Sequence, residues 1–356
     1  MTQLLSNIIG MITPPDGDSM AEARARQDQL TKPPGSFGKL EELSIQLAGI
    51  QGKPIPQIRH KAIITMAGDH GVVAERVGNW PQEVTAQMVY NFLSGGAGIN
   101  VLARQTGARI IVVDMGVATE LEPGPQLLSR KIAPGTQNMA LGSAMTNEQA
   151  VQAIETGIEI VTAEVAKGLD IVGTGDMGIG NTTASSAICA VMTGKPVAEV
   201  TGRGTGRTDE QLRHKIEVIK RVLAVNYPDP KQPLDVLAKV GGFEIGGLVG
   251  VMLGAAAHQI PVVIDGFISG AAALIATALS PELKDFLIAA HVSAEAGHRL
   301  LLKHLGLKPL LDLGMRLGEG TGASLGIFLS EIAARVLAEM STFAEAGVSE
   351  GDTKGK

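Results

Sequence analysis

A single cysteine, Cys189, stands among 356 residues, which excludes an intrachain disulfide and a cysteine-ligated zinc cluster and suits a reducing compartment. Its expected place is the core, as a small hydrophobe. Aromatic residues make up only 3% against 45% hydrophobic residues overall, so a core of the size this length allows must be built from Ala, Val, Ile, Leu and Met. Charge of one sign is also scarce: 30 Lys and Arg against 36 Asp and Glu leave a net −6, with no dense basic stripe. That argues against nucleic acid or an anionic membrane as a partner. The amino terminus, MTQLLSNIIGMITPPDGDS, lacks a basic leader followed by a long apolar run, and a cytoplasmic protein is expected. Gly246–Leu279 comes nearest to a membrane segment, but His258, Gln259 and Asp265 interrupt it at spacings that suit helix, strand, helix.

What is present is a regular alternation. Residues 1–60 read as helical, with an amphipathic piece at Ser19–Leu30, a rigid corner at TKPPGSF and a helix over Lys39–Ile50. From residue 61, short aliphatic runs alternate with helical stretches: Ala62–Met66, Ile110–Val113, Leu169–Val172, Pro261–Ile264, Phe286–Ala290 and Leu310–Leu313. The spacing leaves room for crossover helices, which predicts an α/β fold with a parallel sheet covered on both faces. A long helix over Ala323–Phe343 is expected to pack with the amino-terminal helices. This gives a small helical domain from 1–60 and 325–356, with a disordered tail from Glu345, beside a large α/β domain over 61–324.

The residues after each run carry the functional signal. They are Gly68-Asp69-His70-Gly71, Asp114, Gly173–Asn181, Asp265-Gly266, His291 with Ser293, and Glu319. In parallel sheets ligands bind beyond the carboxyl ends of the strands, so polar and glycine residues in series there predict one shared site. The stretch LLDLGMRLGEGTGAS (310–324) reads as strand, glycine-rich turn and helix start, with Glu319 inside the turn. Glycines let the backbone approach a ligand, and Leu317 and Met315 offer an apolar wall that would raise the pKa of the carboxyl toward a useful base. The plainer reading is that Glu319 favours the positive end of the helix that follows.

Gly173-x-Gly175-x-x-Gly178, with Glu199 about twenty residues on, imitates a dinucleotide fingerprint and leaves an NAD-dependent dehydrogenase open. The preferred reading is a loop that approaches a nucleotide or sugar, with Asn181, Thr182 and Thr183 as hydrogen-bond donors. TGRGTG (201–206) precedes Thr208-Asp209-Glu210-Gln211, a capping box opening a helix over 209–225. Amides of Gly202, Arg203 and Gly204 would hold phosphate, with Lys215 as a point charge; a solvated helix face is the competing account for Lys215. Ser293 could add a hydroxyl. His291 and His298, seven apart, lack a third ligand nearby, so no metal is expected. A non-catalytic nucleotide-binding protein also remains open.

Taken together, KPPGSFGKLE (32–41), AGDHGVVA (67–74), PQEVTAQMVYNF (81–92), Gly175–Thr183, Thr201–Gly206, Asp265-Gly266 and Leu317–Ala323 resemble the nicotinate-nucleotide:5,6-dimethylbenzimidazole phosphoribosyltransferases, over about residues 10–345. The resemblance implies a Rossmann-like six-stranded parallel sheet, a small helical domain from both chain ends and a homodimer. It implies transfer of a phosphoribosyl group from nicotinate mononucleotide to dimethylbenzimidazole, with small molecules as the partners and no cofactor. Glu319 would be the base. Trp80, Met88, Met177 and Leu317 would line the pocket for the accepting base, and Gly178, the 202–206 loop, Lys215, Asp265 and Ser293 the nucleotide side. Where the family's central motif carries a glutamate this chain has Asp176, whose expected role is to stabilise a developing oxocarbenium ion.

Overall fold

A computed structural model describes residues 2–202 and 208–349. In its central strand, alternate residues serve opposite faces: Ile64 and Met66 join one apolar cluster, Ile63 and Ala67 another. Both sides being apolar, the strand reads as a continuous hydrophobic run, as buried parallel strands do. The strands are β1 (Lys61–Gly68), β2 (Arg109–Gly116), β3 (Leu127–Ser129), β4 (Ile171–Met177), β5 (Val262–Ile264) and β6 (Leu287–Ala289). They form one six-stranded sheet in the order β3-β2-β1-β4-β5-β6, every pair parallel.

The helices are α1 (Gln3–Met11), α2 (Gly17–Gln29), α3 (Lys39–Gln51), α4 (Val84–Leu93), α5 (Gly98–Thr106), α6 (Asn147–Val165), α7 (Asn181–Thr193), α8 (Val197–Val200), α9 (Asp209–Asn226), α10 (Pro233–Val240), α11 (Phe243–Ala257), α12 (Phe267–Leu279), α13 (Ala296–Leu305), α14 (Thr321–Glu339) and α15 (Phe343–Ala346). Helices α6, α7, α11 and α12 cover one face with the larger cluster; α3, α4, α5 and α14 cover the other. A core poor in aromatics closes by bringing backbones together. A Cβ at Gly250 would collide with the Ile154 carbonyl, so α6 and α11 meet nearly main chain to main chain.

Helix α2, the end of α3 and Leu337 of α14 share a separate small cluster, while α1 lies apart on α6 and α11. The Arg26 guanidinium donates to the carbonyls of Leu337, Ala338 and Met340, which caps the carboxyl end of α14 from α2. Helix α14 has the length and hydropathy of a membrane span, but more than half of that window is buried against the sheet and α3.

Two expectations change. Leu310–Leu313 is not a strand of the sheet: Leu310 and Leu311 donate to the carbonyls of Ala289 and Ala290 and form one bridge with His291, after which Asp312, Leu313 and Gly314 turn outward into solvent. The sixth strand is instead β3, whose three residues on the edge beside β2 are too few to show a period. The polar tail also starts later than Glu345, because Thr342 and Glu345 form a capping box on α15. Residues 350–356 lie outside the described residues.

Candidate active site

The strand order reverses between β1 and β4, and such a switch point opens a crevice at the carboxyl ends of the two strands. Gly318-Glu319-Gly320 lies there, just before α14. Glu319 has φ +64°, a left-handed conformation that costs a non-glycine residue about 1 kcal/mol. Its surroundings hold it. The Glu319 N–H donates to the Asp176 carbonyl at 3.2 Å, its carbonyl accepts from Thr65 Oγ1 at 3.1 Å, and its Oε2 accepts from the Ile99 N–H at 3.1 Å. The carboxylate therefore caps α5, and not the helix that follows it in sequence. That helix, α14, is capped by Asp265, whose Oδ2 accepts from the Gly320 N–H at 3.2 Å and Oδ1 from the Ala323 N–H at 3.0 Å.

The glycine fingerprint takes on a different meaning here. Gly173 and Gly175 lie inside β4 and not in the turn beyond it. A Cβ on Gly175 would run into the Glu319 carbonyl, and one on Gly173 would press on Ala323 and Ile327 at 3.1 Å, so both positions serve the close approach of α14 to the sheet. Glu199, the ribose ligand of the dehydrogenase reading, is exposed on α8 and ends no strand.

Carboxyl groups dominate the electrostatics. Burial raises the pKa of Glu319 above its ordinary value, against the Ile99 N–H, which lowers it. Burial raises Asp176 well above its usual range, and the charges of Asp265, Glu244 and Glu319 add to this, while the Asn181 side-chain amide donates to Oδ2 at 2.9 Å and opposes it. Asp265 is pushed up to about 7 by burial despite the amides of Ala323, Gly322 and Gly320. Beneath them His70 Nε2 lies 2.6 Å from Glu244 Oε1, both side chains fully enclosed. Burial works against the charged imidazole, but the Glu244 charge and hydrogen bond together with the Asp69 charge outweigh it, and the His70 pKa rises. Sequence reasoning passed over Glu244, although a lone charge in the apolar run FEIGGLVGVMLGAAA was a visible signal.

Of the expected pocket residues, Leu317 adjoins Glu319. Leu317 is 61% exposed and leans over Gly98, the residue that Glu319 Oε2 also approaches. Met88 on α4 and Met177 at the end of β4 are half-buried against the same apolar cluster, and Trp80 is 54% exposed in the segment before α4. On the other side Gly178 rests on the Gly68 carbonyl, where a Cβ would collide. Lys215 is buried, contrary to a solvated face, and its Nζ donates to Thr182 Oγ1 at 2.9 Å. Asn181 and Asp265, expected to face a nucleotide, are engaged by Asp176 and by the start of α14. The Ser293 hydroxyl accepts from the Glu295 N–H at 3.3 Å, while the Ser293 N–H donates to His298 Nδ1. Gly202 abuts the Glu295 carboxylate; Arg203 and Gly204 lie outside the described residues.

Among the described residues no three His, Cys, Asp or Glu side chains converge as they would around a metal ion. A roomy cleft of about 550 Å³ lies elsewhere, between α3 and the β6 edge, lined by Lys39, Gln46 and Lys284 among others. The perturbed carboxyls and the switch point, and not cleft size, mark the site.

Comparison with known proteins bears on the fold and the family. A family model described as phosphoribosyltransferase matches residues 12–348. The nicotinate-nucleotide–dimethylbenzimidazole phosphoribosyltransferase of Dehalococcoides mccartyi strain BAV1 is 59% identical over 348 residues, covering 98% of this chain and 99% of its own. That of Geobacter sulfurreducens is 54% identical over 349 residues, covering 98% and 99%. The crystal structure of CobT from Thermus thermophilus superposes with a TM-score of 0.91 at 49% identity, over 94% of this chain and all of that one. The glycine-packed strand, the switch-point carboxylates and this likeness along nearly the whole length have one meaning: the chain belongs to the nicotinate-nucleotide–dimethylbenzimidazole phosphoribosyltransferase family.

Proposed function

We propose that this protein transfers the 5-phosphoribosyl group of nicotinate mononucleotide to 5,6-dimethylbenzimidazole, giving α-ribazole 5′-phosphate and nicotinate, in assembly of the cobamide nucleotide loop. The observation that carries the reading is Glu319, buried, its backbone tied to Asp176 and Thr65, its carboxylate held by the Ile99 N–H and walled by Leu317.

The donor's leaving group is a pyridinium nitrogen. It departs as a neutral ring, so the site needs no general acid and no metal. The accepting benzimidazole attacks C1′ with one nitrogen, and the proton on its other nitrogen becomes acidic as positive charge develops. Glu319 takes that proton. Oε2 is held by Ile99, which leaves Oε1 to meet the ring N–H at about 2.6–3.2 Å. Attack from the face opposite the leaving group turns a β-glycosidic bond into α. Asp176, 5% exposed and with no partner for Oδ1 among the described residues, stands where positive charge on the ribose would develop, and Trp80, Met88, Met177 and Leu317 form the apolar side. Lys215, Thr182, Gly178, Ser293 and the 202–206 loop hold the phosphoribosyl side.

The exposed Val101, Leu317 and Phe328 on and beside α5 and α14 support a homodimer, and the single buried free thiol supports a cytoplasmic setting. Sedimentation as a monomer at micromolar concentration would remove the dimer from this reading. The division into a catalytic unit, 61–324, and a helical unit from the two chain ends belongs to the same proposal. Incubation with the two substrates should release nicotinate only when both are present, with a product of the mass of α-ribazole 5′-phosphate. Nicotinate release without the accepting base refutes the assignment.

A further inference from the structure

We propose that His70 and Glu244 are positioning residues for phosphoribosyl transfer: a buried ion pair that seats the 178–181 turn against the end of β1 and sets fixed charges beside Asp176. This rests on the reading of the site given above, and the transfer chemistry itself uses neither side chain.

The geometry supports a built feature. His70 follows β1 and Glu244 opens α11, and the two meet at 2.6 Å with exposures of 1% and 0%. Space is cleared for them by neighbouring glycines: a Cβ at Gly242 would strike the imidazole, and one at Gly68 would lie 2.9 Å from Glu244 Oε2. The pair backs directly onto the turn. Gly178 rests on the Gly68 carbonyl, and the His70 Cβ lies 3.1 Å from where a Cβ on Gly180 would stand. Asn181 of the same turn then reaches Asp176 Oδ2. A buried ion pair is weak evidence for stability alone, since apolar residues of the same volume would serve the core as well. Glu244 Oε2, enclosed and without a partner among the described residues, is a cost that packing does not explain.

The charges around the pair are one-sided. Asp69 and Glu244 act on His70, and Asp265, Glu244 and Glu319 act on Asp176. Burial disfavours the charged His70 ring while Glu244 and Asp69 favour it, and Glu244 acts on Asp176 as well. Removing the His70 ring leaves Glu244 to disfavour ionisation of Asp176; removing Glu244 relieves that. The two changes are expected to move the acidic limb of kcat/KM in opposite directions, a split that loss of packing alone would not give.

The test compares His70→Gln and Glu244→Gln, each able to keep the mutual hydrogen bond, in pH profiles of nicotinate release by the full-length enzyme. His70→Gln is expected to raise the pH of the acidic limb and Glu244→Gln to lower it, each by roughly half a unit or more. The double variant should fall between them. Limbs that stay within about 0.2 unit of the parent, or that move the same way, overturn the proposal. Should either variant fail to fold, nitrogen-15 histidine spectra of the parent decide: a His70 imidazolium persisting to higher pH than that of free histidine is required, and its absence overturns the pair. A parent enzyme that releases no nicotinate sinks the reading of the site, and this inference with it; an active parent whose variants do not split sinks this inference alone.

Discussion

Replacing Glu319 by Gln separates what the carboxylate does for the fold from what it does for the reaction. The Gln carbonyl oxygen can still accept the Ile99 N–H at about 3.1 Å, and the backbone bonds to Asp176 and Thr65 involve no side-chain atom of residue 319. Stability should change by less than about 1 kcal/mol, the net worth of one hydrogen bond whose charge has been removed. A Gln side chain cannot take a proton from the incoming ring. General-base help is worth about 10²–10⁴-fold, so kcat should fall by that factor, or about 2.7–5.4 kcal/mol of barrier, with the KM of nicotinate mononucleotide nearly unchanged. Glu319→Ala should lose the same rate and also the α5 cap, about 0.5–2 kcal/mol of stability. Glu319→Gly should regain part of that loss, since glycine adopts φ +64° without strain. Single-turnover nicotinate release and urea unfolding measure the two effects separately. A Gln variant that turns over within about fivefold of the parent would refute the mechanism, and one that unfolds several kcal/mol more easily would mean that the residue is structural.

Three further outcomes are expected. Gly175→Ala places a methyl group against the Glu319 carbonyl and Thr65 Oγ1, neither of which can yield; urea unfolding should register a loss of about 1–3 kcal/mol with a fall in kcat, and parent-like values would contradict the close approach. Asp265, raised from 3.8 to about 7, binds more protons folded than unfolded between those values, so its contribution to stability is full below about 4 and declines as pH rises to about 7. Asp265→Asn should flatten the pH dependence of the urea midpoint across that window, and an unaltered slope would assign it to other groups. Lys215→Met keeps the buried stem and removes the charge that meets Thr182; the KM of nicotinate mononucleotide should rise about tenfold or more, and a change confined to kcat would exclude phosphate binding.

Much of the fold was legible because the aliphatic runs are buried on both faces and keep their hydrophobic signature. Gly246–Leu279 resolved as expected into α11, β5 and α12, and the capping box at Thr208 opened α9 within a residue of its expected span. What escaped was short or non-local. β3 has too few residues to carry a pattern, and Leu310–Leu313 has strand composition but only one bridge to pair with. Neither Glu319 nor Asp265 fills the role that its neighbours in sequence suggest. Each carboxylate caps a helix remote in the chain, and no linear spacing records that. The glycines of β4 were found but misplaced, because a glycine that admits a helix and a glycine that admits a phosphate look identical in a string of letters.

Helix α14 begins at the turn that carries Glu319 and ends, 19 residues later, at carbonyls gripped by Arg26. At about 1.5 Å per residue it is a rod of roughly 28 Å, pinned at one end by Asp265 and at the other by a guanidinium from near the opposite terminus of the chain. The orientation of Glu319 thus depends on a clasp made only once Arg26 and residues 337–340 are both present. A fragment cut before Leu337 would leave this lever unanchored at its far end, so activity should appear only in fragments that reach Met340.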